Sequence, residues 1–175
     1  CAWCDGPIFA GKEVAVIGGG NAALDAAINI AKIVKHIYLI NLTEDLTGDP
    51  VMVDKVRDLH NVRIMNNMET VSFGGSKFLE YVEVHDTTSG IKKKVHVAGA
   101  FVEVGSVPAT DYLQGYLELN KAGEIVIDKY NMTSVEGVFA AGDITDVVEK
   151  QVIVAAGEGA KAAIQASQYL SKLKD

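Results

Sequence analysis

Glu13-Val14-Ala15-Val16-Ile17-Gly18-Gly19-Gly20-Asn21-Ala22-Ala23 is the stretch on which the fold turns. Its first five residues form a short, β-branched apolar run that reads as a buried strand. Gly18, Gly20 and Ala23 then fit the spacing G-x-G-x-x-G/A, and the helix that follows, Ala22 to Lys35, sets Leu24, Ala27, Ile28 and Ala31 on one face. Gly18 permits a tight turn, Gly20 lets the backbone approach a diphosphate, and Ala23 lets helix and strand pack closely. A bound diphosphate would lie on the free N–H groups at the helix start, beside Gly18, Gly19, Gly20, Asn21, Ala22 and Ala23. The plainer alternative is a glycine turn that holds nothing.

Outward from this stretch, His36 to Ile40 reads as a second buried strand. Asp49-Pro50 offers an N-cap and a first-turn proline for a helix that carries Val53, Val56 and Leu59 on one face. Val62 to Met65 is a third strand. The order β-α-β-α-β implies right-handed crossovers and a parallel sheet. The pattern then changes: Thr70–Phe73, Phe78–His85 and Lys92–Ala98 are strands without intervening helices, with turns expected at Gly74-Gly75 and Thr87-Thr88-Ser89-Gly90. They make an antiparallel three-stranded meander, after which Phe101 to Val104 rejoins the parallel sheet. Gly105 and Pro108 mark a boundary. Beyond it Ile125–Ile127 and Gly137–Ala141 read as strands, the second ending at Gly142-Asp143, and Lys150 to Leu173 reads as a long Ala- and Gly-rich helix.

Composition narrows the function. The 175 residues are 49 % apolar and 22 % charged, and 17 Gly stand against 3 Pro, a globular balance that excludes disorder and collagen-like structure. No apolar run reaches the roughly eighteen residues of a bilayer span, and no secretory signal is visible, so no membrane association and a cytoplasmic setting are expected. Net charge is −7 and the one basic run is Lys92-Lys93-Lys94, which reads as a solvated strand; no nucleic-acid partner is expected. The chain opens on Cys1 rather than Met, so the numbering is expected to start inside a longer protein.

Where the second strand ends, Asn41, Leu42 and Thr43 offer neither a carboxylate for a ribose diol nor an arginine for a 2′-phosphate. No Lys or Arg lies between Lys35 and Lys55, while Glu44, Asp45, Asp49 and Asp54 are acidic. A 2′-phosphate would meet uncompensated repulsion, which favours NADH over NADPH as the nicotinamide cofactor. The two cysteines form Cys1-Ala2-Trp3-Cys4. No second pair or spaced histidines complete a tetrahedral zinc site, so no metal is expected. A disulfide enclosing two residues would stabilise little by loop closure. A redox-active pair is the better reading, with inert thiols the alternative: close spacing lets the second thiol resolve a mixed disulfide, and Asp5 is placed to shuttle a proton.

Cys1-x-x-Cys4-Asp5-Gly6, Val16-Ile17-Gly18-Gly19-Gly20-Asn21, Gly105-x-x-Pro108 and Gly137-Val-Phe-Ala-Ala-Gly-Asp143 together resemble the low-molecular-weight thioredoxin reductases along the whole chain. Within that group, Cys-Asp-Gly-Pro and Lys150-Gln151 to Gly157-Glu158-Gly159-Ala160-Lys161 are most similar to the flavoprotein reductases of alkyl hydroperoxide systems.

The resemblance implies a Rossmann-like three-layer α/β fold. Residues 1–105 would form a nicotinamide-binding domain carrying the dithiol, and 106–175 the C-terminal part of a second, FAD-binding domain. It implies FAD and NADH or NADPH as cofactors, electrons passing from nicotinamide through flavin to Cys1–Cys4, with Cys4 facing the flavin, and on to a thioredoxin-like or peroxiredoxin-system protein. A domain rotation between two states and a homodimer of the full-length protein are implied too. Asp143 after Gly142 would bond the ribityl chain, and Gln151 and Val152 would begin a helix aimed at the flavin. Close helix packing is the plainer reading of Ala155, Ala156, Gly157, Gly159 and Ala160.

Three departures stand out: a single dinucleotide fingerprint, Ala109 where the family has Asn, and Leu42 and Thr43 in place of paired arginines. A non-catalytic nucleotide-binding module is the alternative of another class, and the isolated piece is expected to show little reductase turnover.

Overall fold

The computed structural model describes residues 2–173, so Cys1 and the pairing expected of it lie outside the described residues. The chain divides at Gly105 into two units. The first opens with a short helix α1 (Ala2–Asp5) and continues through β1 (Glu13–Ile17), α2 (Asn21–Ile30), β2 (His36–Ile40), α3 (Pro50–Arg57), β3 (Val62–Met65), β4 (Met68–Gly75), β5 (Leu79–Asp86), β6 (Lys92–His96) and β7 (Gly99–Val102). A four-stranded parallel sheet runs in the order β3-β2-β1-β7, and β4-β5-β6 form a separate antiparallel sheet. Chain order and sheet order differ at β7, which returns after the meander to pair with β1.

The period-2 alternation of the strands explains the three layers. Val14, Val16, Ile37, Leu39 and Phe101 face one side, where Ala23, Leu24, Ala27 and Ile30 of α2 and Val53 and Val56 of α3 cover them. Ala15, Ile17, Tyr38, Ile40, Met65 and Ala100 face the other, against Val82, Val84, Val95 and Val97 of the meander. Each fully buried Leu or Ile contributes about 1.5–3 kcal/mol. The parallel sheet is therefore apolar on both faces, with helices on one and an antiparallel sheet on the other.

Several boundaries differ from the sequence expectation, among them β7, which runs over Gly99–Val102 rather than Phe101–Val104, and β6, which ends at His96 rather than Ala98. α2 stops at Ile30 rather than Lys35: Asn61 Nδ2 donates to the Ala31 carbonyl at 2.8 Å and to the Val34 carbonyl at 3.3 Å, and the Gly11 N–H donates to that of Ile33, which ends the helix while Val34 stays buried. Gly74-Gly75 is not the meander turn. Both glycines lie within β4 and the chain reverses over Ser76–Phe78; a Cβ on Gly74 would sit 2.2 Å from the Tyr81 ring and one on Gly75 2.0 Å from the Phe78 carbonyl, so close approach requires them. Leu59 falls beyond the end of α3 yet still packs, half-buried, on the helical-face core.

The second unit, from Ser106, is mostly irregular until α4 (Val152–Lys172). The strands expected at Ile125–Ile127 and Gly137–Ala141 reduce to single bridges: Ile125 to Leu119 and Thr145, and Phe139 to Met132. Its buried residues among those described are polar apart from Ile125: Thr110, Asn131, Thr133 and Thr145. Asn131 sits in the left-handed region at φ 62° and is fully buried. Its Nδ2 donates to the Ala140 carbonyl at 3.1 Å and to Glu158 of α4. Side-chain hydrogen bonds do here what a strand ladder does in the first unit.

Candidate functional site

A cleft of about 580 Å³ opens at the carboxyl ends of β1, β2 and β7, lined by residues of the first unit. The glycine turn forms its floor, as the spacing predicts for Gly18, Gly19, Gly20, Asn21 and Ala22. The glycines have separate reasons. Gly18 holds φ 138°, and a Cβ there would lie 2.2 Å from the Glu103 carbonyl and 3.0 Å from the Ala23 methyl, so strand, turn and helix meet at that point. A Cβ on Gly19 would lie 2.1 Å from Asn41 Oδ1. At Gly20 a Cβ would meet only Thr47 Oγ1, at 3.8 Å, which leaves open space above the turn for a ligand. Gly20 caps α2 without a side-chain acceptor, and the first helical bond runs from the Leu24 N–H to the Gly20 carbonyl. The N–H groups of Asn21, Ala22 and Ala23 therefore have no protein acceptor among the described residues. Three unbonded amides at the positive end of a helix, over open space, fit a dinucleotide diphosphate.

The wall beside β2 is a loop clamped onto the turn. Asn21 and Asp49 exchange two bonds, Asn21 Nδ2 to Asp49 Oδ2 at 3.1 Å and the Asp49 N–H to Asn21 Oδ1 at 2.7 Å. The Thr47 and Gly48 N–H groups donate to the Gly19 carbonyl. Asn41 is 3 % exposed, and its Nδ2 faces the carbonyls of Thr43 and Asp45 and the Asn66 side chain at 2.9–3.1 Å. Asn41 lines the cleft, as expected, but its amide is engaged by the protein. The charged side chains on the lining are Glu69 and Glu103, with no Lys or Arg among them. Gly105 completes the far end at φ 87°.

Sequence reasoning missed Glu69, Thr70 and Glu103. The signal was the two-residue link Asn66-Asn67, with Asn67 left-handed at φ 57°, which turns β3 directly into β4 and brings Met68, Glu69 and Thr70 to the cleft. Thr70 Oγ1 is buried without a hydrogen-bond partner, an arrangement that costs about 1–3 kcal/mol when nothing satisfies it.

The cysteine segment is fastened to the helical face of the same unit. Ala2 is buried in that core, the Trp3 indole N–H reaches Asp25 of α2 at 3.4 Å, and a Cβ on Gly6 would press on Ile30 at 2.9 Å. Phe9 packs edge-on against Phe101 with ring centres 5.6 Å apart, over Gly99, where a Cβ would strike the Phe9 ring. On this base Cys4 is exposed at the end of α1, next to Asp5, as an attacking or leaving thiol must be.

In the second unit, Asp143 borders a hollow of about 210 Å³ with Pro108, Ala109, Glu124 and Ile144. Gly142 is left-handed at φ 81°, and its carbonyl accepts from the Thr145 N–H and hydroxyl. Lys150, a residue the sequence reading did not single out for this task, holds the turn: its ammonium donates to the Asp143 and Thr145 carbonyls and pairs with Glu124 at 2.8 Å. That hydrogen bond, then the one from Asn120, keeps the Glu124 carboxyl below its usual range. Gln151 caps α4 in extended conformation and Val152 begins it; the N–H groups of Val152, Ile153 and Val154 have no protein acceptor among the described residues, since the first helical bond is Ala155 to Gln151. The apolar side chains of Val152 and Ile153 are exposed. An acidic turn and an open helix start fit the ribityl and ring portion of a flavin. Among the described residues, the Cβ positions of Gly157 and Gly159 meet nothing within 4 Å.

A doubly covered parallel sheet with a glycine-turn cleft defines a dinucleotide-binding fold, and Cys4 of the CxxC lies exposed in the same unit. Residues 4–159 match the family model of the pyridine nucleotide-disulphide oxidoreductases, and the chain belongs to that family. The family uses FAD and NAD(P)H. The chain is 48 % identical to a component of the alkyl hydroperoxide reductase of Escherichia coli, over 99 % of this chain and 34 % of that protein. It is 43 % identical to a Bacillus subtilis protein named NADH dehydrogenase, over 97 % of this chain and 33 % of that one. The thioredoxin reductase of Streptococcus pyogenes superposes with a TM-score of 0.87 at 25 % identity, covering 98 % of this chain and 56 % of that structure. The chain thus spans about a third of the curated relatives it matches.

Proposed function

We propose that this chain is the nicotinamide-binding domain, with the C-terminal part of the FAD-binding domain, of an NADH-dependent disulfide reductase that serves a peroxiredoxin system through a thioredoxin-like module. The observation that carries the reading is the set of unbonded Asn21, Ala22 and Ala23 amides over an open cleft, in the same unit as the exposed Cys4. The acidic lining favours NADH, because a 2′-phosphate would add charge where no cation compensates it. The peroxide-system acceptor is favoured over free thioredoxin by 48 % identity to the hydroperoxide reductase component against 25–34 % to thioredoxin reductases of solved structure.

The residues divide the work. The start of α2 holds the diphosphate, Gly20 lets it approach, and Gly105 closes the far end. Asp143, fixed through Lys150, and the N-terminus of α4 would hold the ribityl chain and the ring of FAD. Held there, FAD would supply the two-electron carrier between NADH and the Cys1–Cys4 disulfide. One thiolate of the reduced pair then attacks the acceptor disulfide, expelling one acceptor sulfur. The second attacks the mixed disulfide, releasing the reduced acceptor and restoring the Cys1–Cys4 bond. Asp5 exchanges the proton with the departing thiolate. The full-length protein would act in the cytoplasm as a homodimer, its domains rotating so that Cys4 and the nicotinamide reach the flavin in turn.

The test uses the full-length protein with NADH and a thioredoxin-like acceptor. Substitution of Cys1 or Cys4 by Ser is expected to abolish acceptor reduction while flavin reduction by NADH continues. Acceptor reduction that survives either substitution, or tighter binding of NADPH than of NADH, refutes the proposal. The 175-residue chain alone is expected to bind NADH without reductase turnover.

A further inference from the structure

In the dinucleotide fingerprint, an acid at the end of the second strand takes the ribose hydroxyls of the adenosine half. Here that position is Asn41, and its amide is turned into the protein, held among Thr43, Asp45 and Asn66. The Thr43 hydroxyl is likewise spent on the Asp45 carbonyl at 2.7 Å. At the end of β2 itself, Asn41, Leu42 and Thr43 offer a diol no carboxylate.

We propose that Glu69, on β4, supplies the missing carboxylate and selects the unphosphorylated adenosine ribose, an inference that rests on the NADH-binding reading above. Three observations support it. Glu69 lines the cleft. The first residue of β4 is hydrogen-bonded to the end of β2, the Met68 N–H to the Asn41 carbonyl at 2.9 Å, so Glu69 stands beside the position the fingerprint reserves for an acid. The other lining carboxylate, Glu103, follows β7, which lies across β1 from β2 and so borders the nicotinamide end.

Glu69 is also available. One of its oxygens faces His85 Nδ1 at 3.3 Å, the other takes no protein hydrogen bond among the described residues, and the side chain is 57 % exposed. A carboxylate accepts the ribose O–H groups and repels a 2′-phosphate, so one residue both rewards NADH and rejects NADPH.

The experiment titrates the chain with NADH, NADPH and 2′-deoxy-NADH by calorimetry. Glu69→Ala is expected to weaken NADH binding about ten- to a hundredfold, the span of a hydrogen bond to a charged group. It should leave 2′-deoxy-NADH within about twofold of its wild-type affinity and leave NADPH binding unchanged or tighter. His85→Ala, which removes the protein partner but keeps the carboxylate, is expected to retain NADH binding. If wild type does not prefer NADH to NADPH, the parent reading falls and this assignment with it. If wild type prefers NADH but Glu69→Ala keeps that preference, or if the substitution weakens 2′-deoxy-NADH equally, only the assignment to Glu69 is overturned. Loss of NADH binding in His85→Ala to the same extent overturns it too, since the pair would then be structural. The thermal melt of Glu69→Ala is expected to match wild type, as that side chain lies at the surface.

Discussion

A motif rule and the structure give opposite answers for Asn41→Asp. Read from the fingerprint, the substitution restores an acid at the end of β2 and should tighten NADH. The structure predicts damage. Asn41 is 3 % exposed, and its amide nitrogen has the Thr43 carbonyl at 2.9 Å and the Asp45 carbonyl and Asn66 Oδ1 at 3.1 Å. The amide has two hydrogens to share among three acceptors, so the change removes about two net hydrogen bonds, near 1 kcal/mol each. It also sets a carboxylate oxygen against three oxygens that can donate nothing, for at least about 1 kcal/mol more. A total of about 3 kcal/mol corresponds to a fall in Tm of about 14 °C for a unit of this size. The sign of the pH dependence follows: crowded by acceptors, the new carboxyl titrates above its unfolded value, so the folded state binds the extra proton and the deficit grows as pH rises through the carboxylate range. Differential scanning calorimetry across that range, with NADH titration at neutral pH, reads both effects. A variant as stable as wild type at neutral pH, or one that binds NADH more tightly, refutes the reasoning.

Gly18→Ala is expected to abolish NADH binding and cost about 1–3 kcal/mol from backbone strain alone, because φ is 138° and the new methyl would lie 2.2 Å from a carbonyl that cannot swing away; calorimetry and NADH titration check it. The Glu158 carboxyl is held below its usual range first by the Asn131 amide and then by Lys161, so its stabilising contribution is present above the unfolded value of about 4.3 and is lost as pH falls through the folded one. Melts of Glu158→Gln should therefore be less stable than wild type at neutral pH and converge with it in acid. Lys150→Met frees the Asp143 and Thr145 carbonyls and strands Glu124, and the full-length protein is expected to purify with less flavin per protein by absorbance; full flavin content would contradict the role given to that turn. Gly157→Ala and Gly159→Ala each remove a helix-interior glycine whose Cβ position is empty, and each should stabilise the 175-residue chain by up to about 1 kcal/mol in a melt.

The first unit was legible because its signals are periodic and local. Apolar alternation located β1, β2 and β3 to within a residue, and the glycine spacing located the floor of the cleft. What escaped were close approaches between residues distant in sequence. Gly74 is a glycine because Tyr81 crosses it, and Gly19 because Asn41 lies over it; neither partner is visible in a local window. Glu69 escaped for the same reason, reaching the cleft through a left-handed Asn67 that a single sequence does not announce. In the second unit, short apolar runs read as strands but do not form them. Ile125 and Phe139 find isolated bridging partners rather than a ladder, and a β-branched run cannot supply the neighbour it needs.

The two units are built on different physics, and that bears on how each holds its own candidate site. In the first, the glycine turn proposed to cradle a diphosphate sits between two apolar layers, so its geometry is a by-product of packing around Val14, Val16, Ile37 and Leu39 on one side and Ala15, Ile17, Val82 and Val84 on the other. Burial is non-directional and tolerates small errors. In the second, among the described residues, the Asp143 turn is held by Lys150, Thr145 and the carbonyls they reach, with Ile125 the one buried apolar side chain. Hydrogen bonds are directional and each is worth about 1 kcal/mol net, so removing one member shifts the turn rather than merely loosening it. The glycine-turn cleft is lined by the first unit's residues alone, so on the proposed reading nucleotide capture requires the packed unit only. The flavin contacts proposed for the second unit in contrast hang on a few polar side chains, and single substitutions there should alter cofactor retention before they alter the fold.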